Sequence, residues 1–281
     1  MNNFKGNTAV ITGAASGIGL ALARRSAAEG MNLVLADIDI DGLAKAAATL
    51  GVDSGRLLTY RVDVSQAEDI KHLADAAYEH FGAVHLLCNN AGVAVNRVMS
   101  ELTVRDWEWV LGVNLWSVIH GVSEFLPRMQ AAGVSAHIVN TASAAGLLST
   151  PGLAAYNVSK HGVVTLSETL YRELELSQSP VGVSLLCPSW VPTGIGHSAR
   201  NRPAEFGDSR QPGALSEAIG QGIGQAMATA PLTADDMADA TFAAVRDGRF
   251  YVIPHHDIKA AVSLRMNDIL EARNPTQLPD L

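Results

Sequence analysis

Short runs of β-branched and aliphatic residues recur along the chain at TAVIT, NLVLA, LLTYRV, VHLLC, AHIVNT, VGVSLLC and FYVI. Most intervals between them carry helical periodicity, as in GIGLALARRSAAEG. Strands that are apolar almost throughout, rather than alternating, belong to a parallel sheet covered on both faces, and each parallel neighbour needs a crossover that a helix supplies. Right-handed crossovers then predict an α/β fold. Seven parallel strands are wound in both directions, in the order 3-2-1-4-5-6-7, with helices on both faces.

No repeat or low-complexity linker divides the chain, so residues 1–281 are expected to form one domain. The one irregular stretch is 193–232, rich in Gly, Ser, Ala and Arg. An insertion of that length after a strand is expected to form a lid or pocket wall. Thr233 then reads as a helix cap, with Asp236 at the reach-back position. After the last strand, HHDIKAAVSLRMNDILEAR reads as a further helix, and the tail through residue 281 is expected to cover a neighbour or fray.

After the first strand comes TGAASGIG, leading into a helix, the order that builds a pyrophosphate site at a helix N-terminus. Gly13 makes the tight turn, Gly17 lets backbone N–H groups approach the phosphates, and Gly19 lets helix pack on strand, with Ser16 and Ile18 completing the loop. Asp37 closes the second strand. There it can accept from both ribose hydroxyls and would repel a 2′-phosphate. No cation for a 2′-phosphate stands nearby, so the expected cofactor is NAD(H) in a Rossmann-type site. In VDVS, Asp63 is placed against the adenine amino group and Val64 against its face. In NNAG, Asn90, Ala91 and Gly92 are read as backbone packed beside the cofactor, with a purely structural turn as the alternative.

Tyr156 and Lys160 stand at i and i+4 in YNVSK, on one face of a predicted helix. Oxidising a secondary alcohol requires a base for the hydroxyl proton while a hydride leaves carbon. Free tyrosine titrates near about 10 and is a poor base at neutral pH, but a neighbouring ammonium favours the phenolate. Ser143, just after the fifth strand, sits at the carboxyl edge where ligands bind in open α/β sheets, and its hydroxyl can hold the substrate oxygen against the tyrosine.

With TGAASGIG, NNAG, Asn114, Ser143, YNVSK and PSWVPT in this order, the chain resembles the short-chain dehydrogenase/reductase family over nearly its whole length. The resemblance implies that Asn114 distorts the helix after the fourth strand and holds a water linking the lysine to solvent. It implies that Lys160 also donates to the nicotinamide ribose, and that Pro188, Val191 and Thr193 surround the carboxamide. It further implies a homodimer or homotetramer, paired through the helices that carry Asn114 and Tyr156. One position departs: Ser189 stands where the family usually has glycine, which leaves the placement of Trp190 open.

The pocket mouth is expected to be lined by Val93, Val95, Leu147, Leu148, Leu153 and Trp190, mostly apolar, with no arginine placed to clamp a carboxylate near Ser143. The expected substrate is a hydrophobic, possibly aromatic, secondary alcohol or its ketone. Arg200, Arg202 and Arg210 in the insertion keep an acidic substrate open. An NADPH-dependent carbonyl reductase and a non-catalytic dinucleotide-binding protein are the alternatives; Asp37 stands against the first, and the intact Ser143, Tyr156 and Lys160 against the second. A net charge of −8 without a basic block argues against nucleic acid. The adjacent His255 and His256 lack a third ligand, and Trp107 and Trp109 are expected to pack in the core or between subunits. Two isolated cysteines, no apolar run long enough for a membrane span and a polar N-terminus point to a cytoplasmic location.

Overall fold

The apolar runs pair side by side, with Val10 of the first strand opposite Val34 on one side and Leu87 on the other, all parallel. The computed structural model describes residue 1 and residues 3–277, so the last four residues of the tail lie outside the described residues. Among the described residues there are seven strands: β1 (Thr8–Thr12), β2 (Asn32–Asp37), β3 (Leu57–Arg61), β4 (Leu86–Asn89), β5 (Ala136–Thr141), β6 (Val181–Leu186) and β7 (Tyr251–Val252). They form one sheet in the order β3-β2-β1-β4-β5-β6-β7, as the pattern of crossovers predicts.

Both faces are covered because alternate residues of each strand are apolar on both sides. Ile11, Leu33 and Leu35 pack with Leu22 of α1 (Gly17–Ala28) and Phe242 of the later helix 234–247. On the other face, Val10, Val34 and Leu87 meet Ile70 and Leu73 of the helix 67–81, Phe125 of the helix 117–131 and Leu170 of the helix 154–176. In chain order the helices after α1 are α2 (Ile40–Ala48), α3 (Ala67–Phe81), α4 (Val104–Leu111), α5 (Ser117–Ala131), α6 (Ala154–Leu176), α7 (Ala214–Ala228), α8 (Ala234–Asp247) and α9 (Ile258–Leu270). Thr233 and Asp236 form the expected reciprocal cap of α8. Among the described residues, no helix is long and apolar enough to cross a membrane.

The insertion at 193–232 is an ordered wall built from short 3₁₀ turns at Gly194–Asn201 and Ala204–Phe206, followed by α7. A single carboxylate fastens it. Asp106 Oδ2 caps α4 through Thr103, while Oδ1 accepts from Arg202 at 2.8 Å and Ser209 at 2.6 Å. Arg202 also donates to the carbonyls of Phe206 and Gly207 and lies over Trp109, 5.0 Å from its ring centre. Burial alone would raise the Asp106 carboxyl, yet these donors hold it below its usual range.

The Arg202 side chain is 6% exposed and Asp106 0%, so the pair is desolvated on both sides. Replacing Arg202 by Met strands a buried carboxylate and is expected to cost about 3–5 kcal/mol of unfolding free energy. Denaturant titration checks this, and a loss below about 1 kcal/mol, typical of an exposed pair, would contradict it.

Candidate active site

One cleft runs along the carboxyl edge of the sheet, where the crossovers from β1 and β4 depart in opposite directions. Its floor at one end is the β1–α1 turn. Gly13 and Gly17 have φ of +68° and +55°, and a Cβ on Gly13 would stand 2.8 Å from the Ala91 backbone. A Cβ on Gly19 would meet the Gly13 carbonyl at 2.0 Å, so helix and turn pack too closely for any side chain. The first-turn N–H groups of α1 have no intrahelical acceptor and face this end. Asp37 lines the same end; its Oδ2 accepts from Ala15 N at 2.9 Å and its Oδ1 from Asp39 N at 3.0 Å, leaving each oxygen a further lone pair. Ser16, Ile18, Asp63 and Val64 also line the cleft, with Asp63 Oδ1 taken by Ser65. A cradle that a Cβ would fill, a positive helix end and a carboxylate beyond it fit a dinucleotide.

The middle of the cleft is Asn90, Ala91 and Gly92. Asn90 ties β4 to β1 by donating to the Thr12 carbonyl at 3.0 Å, and Thr12 Oγ1 accepts from the N–H groups of Asn90 and Ala91. Close packing and a structural turn are therefore the same feature here. Asn114 lies behind, fully buried, in a π-helical turn at Gly112–Trp116 that joins α4 to α5. Its amide accepts from Val93 N at 2.8 Å and donates to Val93 O at 2.9 Å and Ser159 Oγ at 3.0 Å. The side chain thus clamps the backbone that follows NNAG.

At the far end stand Ser143, Tyr156 and Lys160. Ser143 caps the short turn 144–146 and donates to Pro188 O at 3.3 Å. Lys160 is 2% exposed and donates to Thr141 O at 2.7 Å, with Nζ 5.7 Å from the Tyr156 ring centre. Burial pulls the ammonium down to about 8. Burial also pushes the Tyr156 phenol up, with a hydrogen bond to Ser143 opposing it, whereas the expectation was that Lys160 lowers it. The reason is geometric: the ammonium is itself desolvated and directed at a carbonyl rather than at the phenol oxygen.

Pro188, Ser189, Trp190, Val191 and Thr193 line this end, as do Val93, Leu148 and Leu153. Val95 and Leu147 do not; Val95 packs with Trp109, Val110 and Ala155, and Leu147 joins Ile253 and Ala144. Of the three arginines in the insertion, Arg202 is bound to Asp106, and Arg200 reaches the rim while donating to the Gly194 and His197 carbonyls. Arg210 is exposed. Trp109 both packs in the core and lines the cleft, and Ile195, Pro203, Ile223 and Met227 add apolar wall from the insertion. The sequence marked that insertion as a lid or pocket wall, but its irregular pattern named no individual residue.

A twisted parallel sheet with a dinucleotide cradle at its switch point defines a nucleotide-dependent α/β protein. The family model described as short chain dehydrogenase matches residues 7–204, and the chain belongs to that family of oxidoreductases. A crystal structure of a short-chain dehydrogenase/reductase from Burkholderia phymatum, in complex with NAD, is 47% identical, covers 100% of both chains and superposes with a TM-score of 0.97. The CLA biosynthesis dehydrogenase/reductase of Lactiplantibacillus plantarum is 34% identical over 96% of this chain and 95% of its own. The 1-deoxy-11-beta-hydroxypentalenate dehydrogenase of Streptomyces avermitilis is 32% identical over 94% and 90% respectively.

The low value of Lys160 has a measurable consequence. Between about 8, where the folded ammonium titrates, and 10.5, its ordinary value, the unfolded chain keeps a proton that the folded chain has released, so stability rises with pH in that window. Relative to Lys160→Met, the wild type is expected to gain on the order of 3 kcal/mol across it. A difference that stays flat with pH would show that the ammonium is not desolvated.

Proposed function

We propose that the protein is an NAD(H)-dependent dehydrogenase acting on a hydrophobic, possibly aromatic, secondary alcohol or its ketone. The observation that carries this reading is the meeting, in one cleft, of the glycine cradle and Asp37 at one end with Ser143, Tyr156 and Lys160 at the other. Asp37 supports NAD over NADP because its carboxylate offers acceptors to ribose hydroxyls and repels a 2′-phosphate. The NAD complex of the Burkholderia phymatum protein is consistent with that choice. When bound, the oxidised cofactor supplies a hydride acceptor and a positive charge.

The chain's own residues handle the proton and the geometry. Ser143 and Tyr156 hold the alcohol oxygen between them, and Tyr156 takes its proton as hydride leaves the carbinol carbon, giving ketone, reduced cofactor and one proton. Lys160 holds the ribose side, and the positive charge that the oxidised ring supplies would favour the phenolate against the burial that raises it. Asn114 fixes Val93 and, through Ser159 Oγ, which donates to the Tyr156 carbonyl at 2.7 Å, the start of α6. A π-helical turn at this point shifts the helix's carbonyl register beside the clamp, which suits a relay of protons to solvent. Apolar walls from Trp109, Trp190, Ile223 and Met227 favour a bulky uncharged substrate. Trp116, 52% exposed beside α5, and Val158, 50% exposed on α6, support pairing of copies through these helices.

Tyr156→Phe removes the proton acceptor without changing the ring that fills the cleft. With any apolar secondary alcohol that the wild type oxidises with NAD+, kcat is expected to fall by about 10²–10⁴-fold while NADH affinity is retained. Oxidation surviving undiminished would assign the base elsewhere.

A further inference from the structure

Residues 188–190 leave β6 and form the wall of the cleft beside Ser143 and Tyr156. Pro188 O is held on the Ser143 side, accepting from Ala144 N at 2.7 Å and from Ser143 Oγ. The next two peptides are held from a different part of the chain. Ser189 N–H donates to His255 Nδ1 at 3.1 Å, and His255 Nε2 lies 3.1 Å from Trp190 O.

A ring that accepts at Nδ1 carries its proton on Nε2, so the Trp190 carbonyl receives it and the two bonds define one neutral tautomer. His255 is 5% exposed, and burial pushes its value down, in keeping with a neutral ring. It stands three residues after the end of β7, and the β6–β7 pairing, with Cys187 N donating to Val252 O at 2.9 Å, brings it alongside Ser189. Both ring nitrogens are therefore occupied by backbone groups.

On the proposed reading, the carbon that exchanges hydride bears the oxygen that meets Tyr156, so residues 188–190 would border the nicotinamide end. We propose that His255 is a positioning residue for the nicotinamide end, fixing the Ser189–Trp190 backbone from outside the site so that the ring and substrate meet a rigid wall. This rests on the dinucleotide reading given above. The adenosine end, at Asp37 and Asp63, is built from other elements and does not depend on His255.

The test is calorimetric titration of NADH and, separately, of ADP-ribose, which lacks the nicotinamide, into the wild type and three variants. His255→Leu loses both bonds; His255→Asn keeps an amide oxygen near the place of Nδ1, and His255→Gln keeps an amide N–H near that of Nε2. For the leucine variant NADH is expected to bind about tenfold more weakly, the scale of one net buried hydrogen bond, while ADP-ribose affinity stays within about twofold of wild type. The asparagine and glutamine variants, each retaining one bond, are expected to fall between, and they carry the comparison if the leucine variant does not fold. NADH affinity unchanged in all three variants, or NADH and ADP-ribose weakened alike, would overturn the assignment of His255. A wild type that binds neither ligand would overturn the dinucleotide reading, and this proposal with it.

Discussion

The arrangement depends on two strands that lie side by side and send their chains apart. β1 and β4 are neighbours in a parallel sheet, yet β1 leads outward toward β2 and β4 toward β5, so no crossover covers the carboxyl end between them. A crevice is therefore unavoidable there. What the sequence decides is how its two lips are joined, and it joins them through Thr12 and Asn90, with Gly13 and Gly19 allowing backbone to touch backbone. Any side chain at those glycines would force the lips apart.

From that crevice, polar side chains extend the order outward mainly by fixing backbone. Asn114 clamps Val93, Lys160 reaches Thr141, Ser143 holds Pro188, and His255 holds Ser189 and Trp190. Each buried polar atom gains a backbone partner, which offsets its desolvation and leaves the cleft walls rigid. The same burial sets the electrostatics. It lowers the Lys160 ammonium and raises the Tyr156 phenol, so the pair by itself sits in its neutral forms more readily than free side chains would. A bound positive charge then has a large effect, because little water screens it.

The sheet was legible because each strand is a bounded apolar run and the intervals are too long for hairpins, so order and direction followed from the handedness of crossovers. That the glycine turn, Asp37, Ser143, Tyr156 and Lys160 would meet in one cleft was legible because their spacing carries chemistry. Side-chain direction within irregular segments was not: Val95 packs with Trp109, Val110 and Ala155, and Leu147 beside Ala144 and Ile253, outside the cleft lining that Val93 and Leu148 join. Nor was the latch between Asp106 and Arg202, whose partners are far apart in sequence. The raised phenol of Tyr156 was missed because spacing shows that Lys160 is near but not where its ammonium points.

The most direct measurement is fluorescence titration of the purified protein with NADH and with NADPH, since it requires no choice of substrate. Saturable binding of NADH, with NADPH at least about tenfold weaker, or about 1.4 kcal/mol, is the expected result, because on the proposed reading Asp37 accepts from ribose hydroxyls and would repel a 2′-phosphate. Preference for NADPH would contradict the role given to Asp37, and binding of neither would contradict the cradle itself.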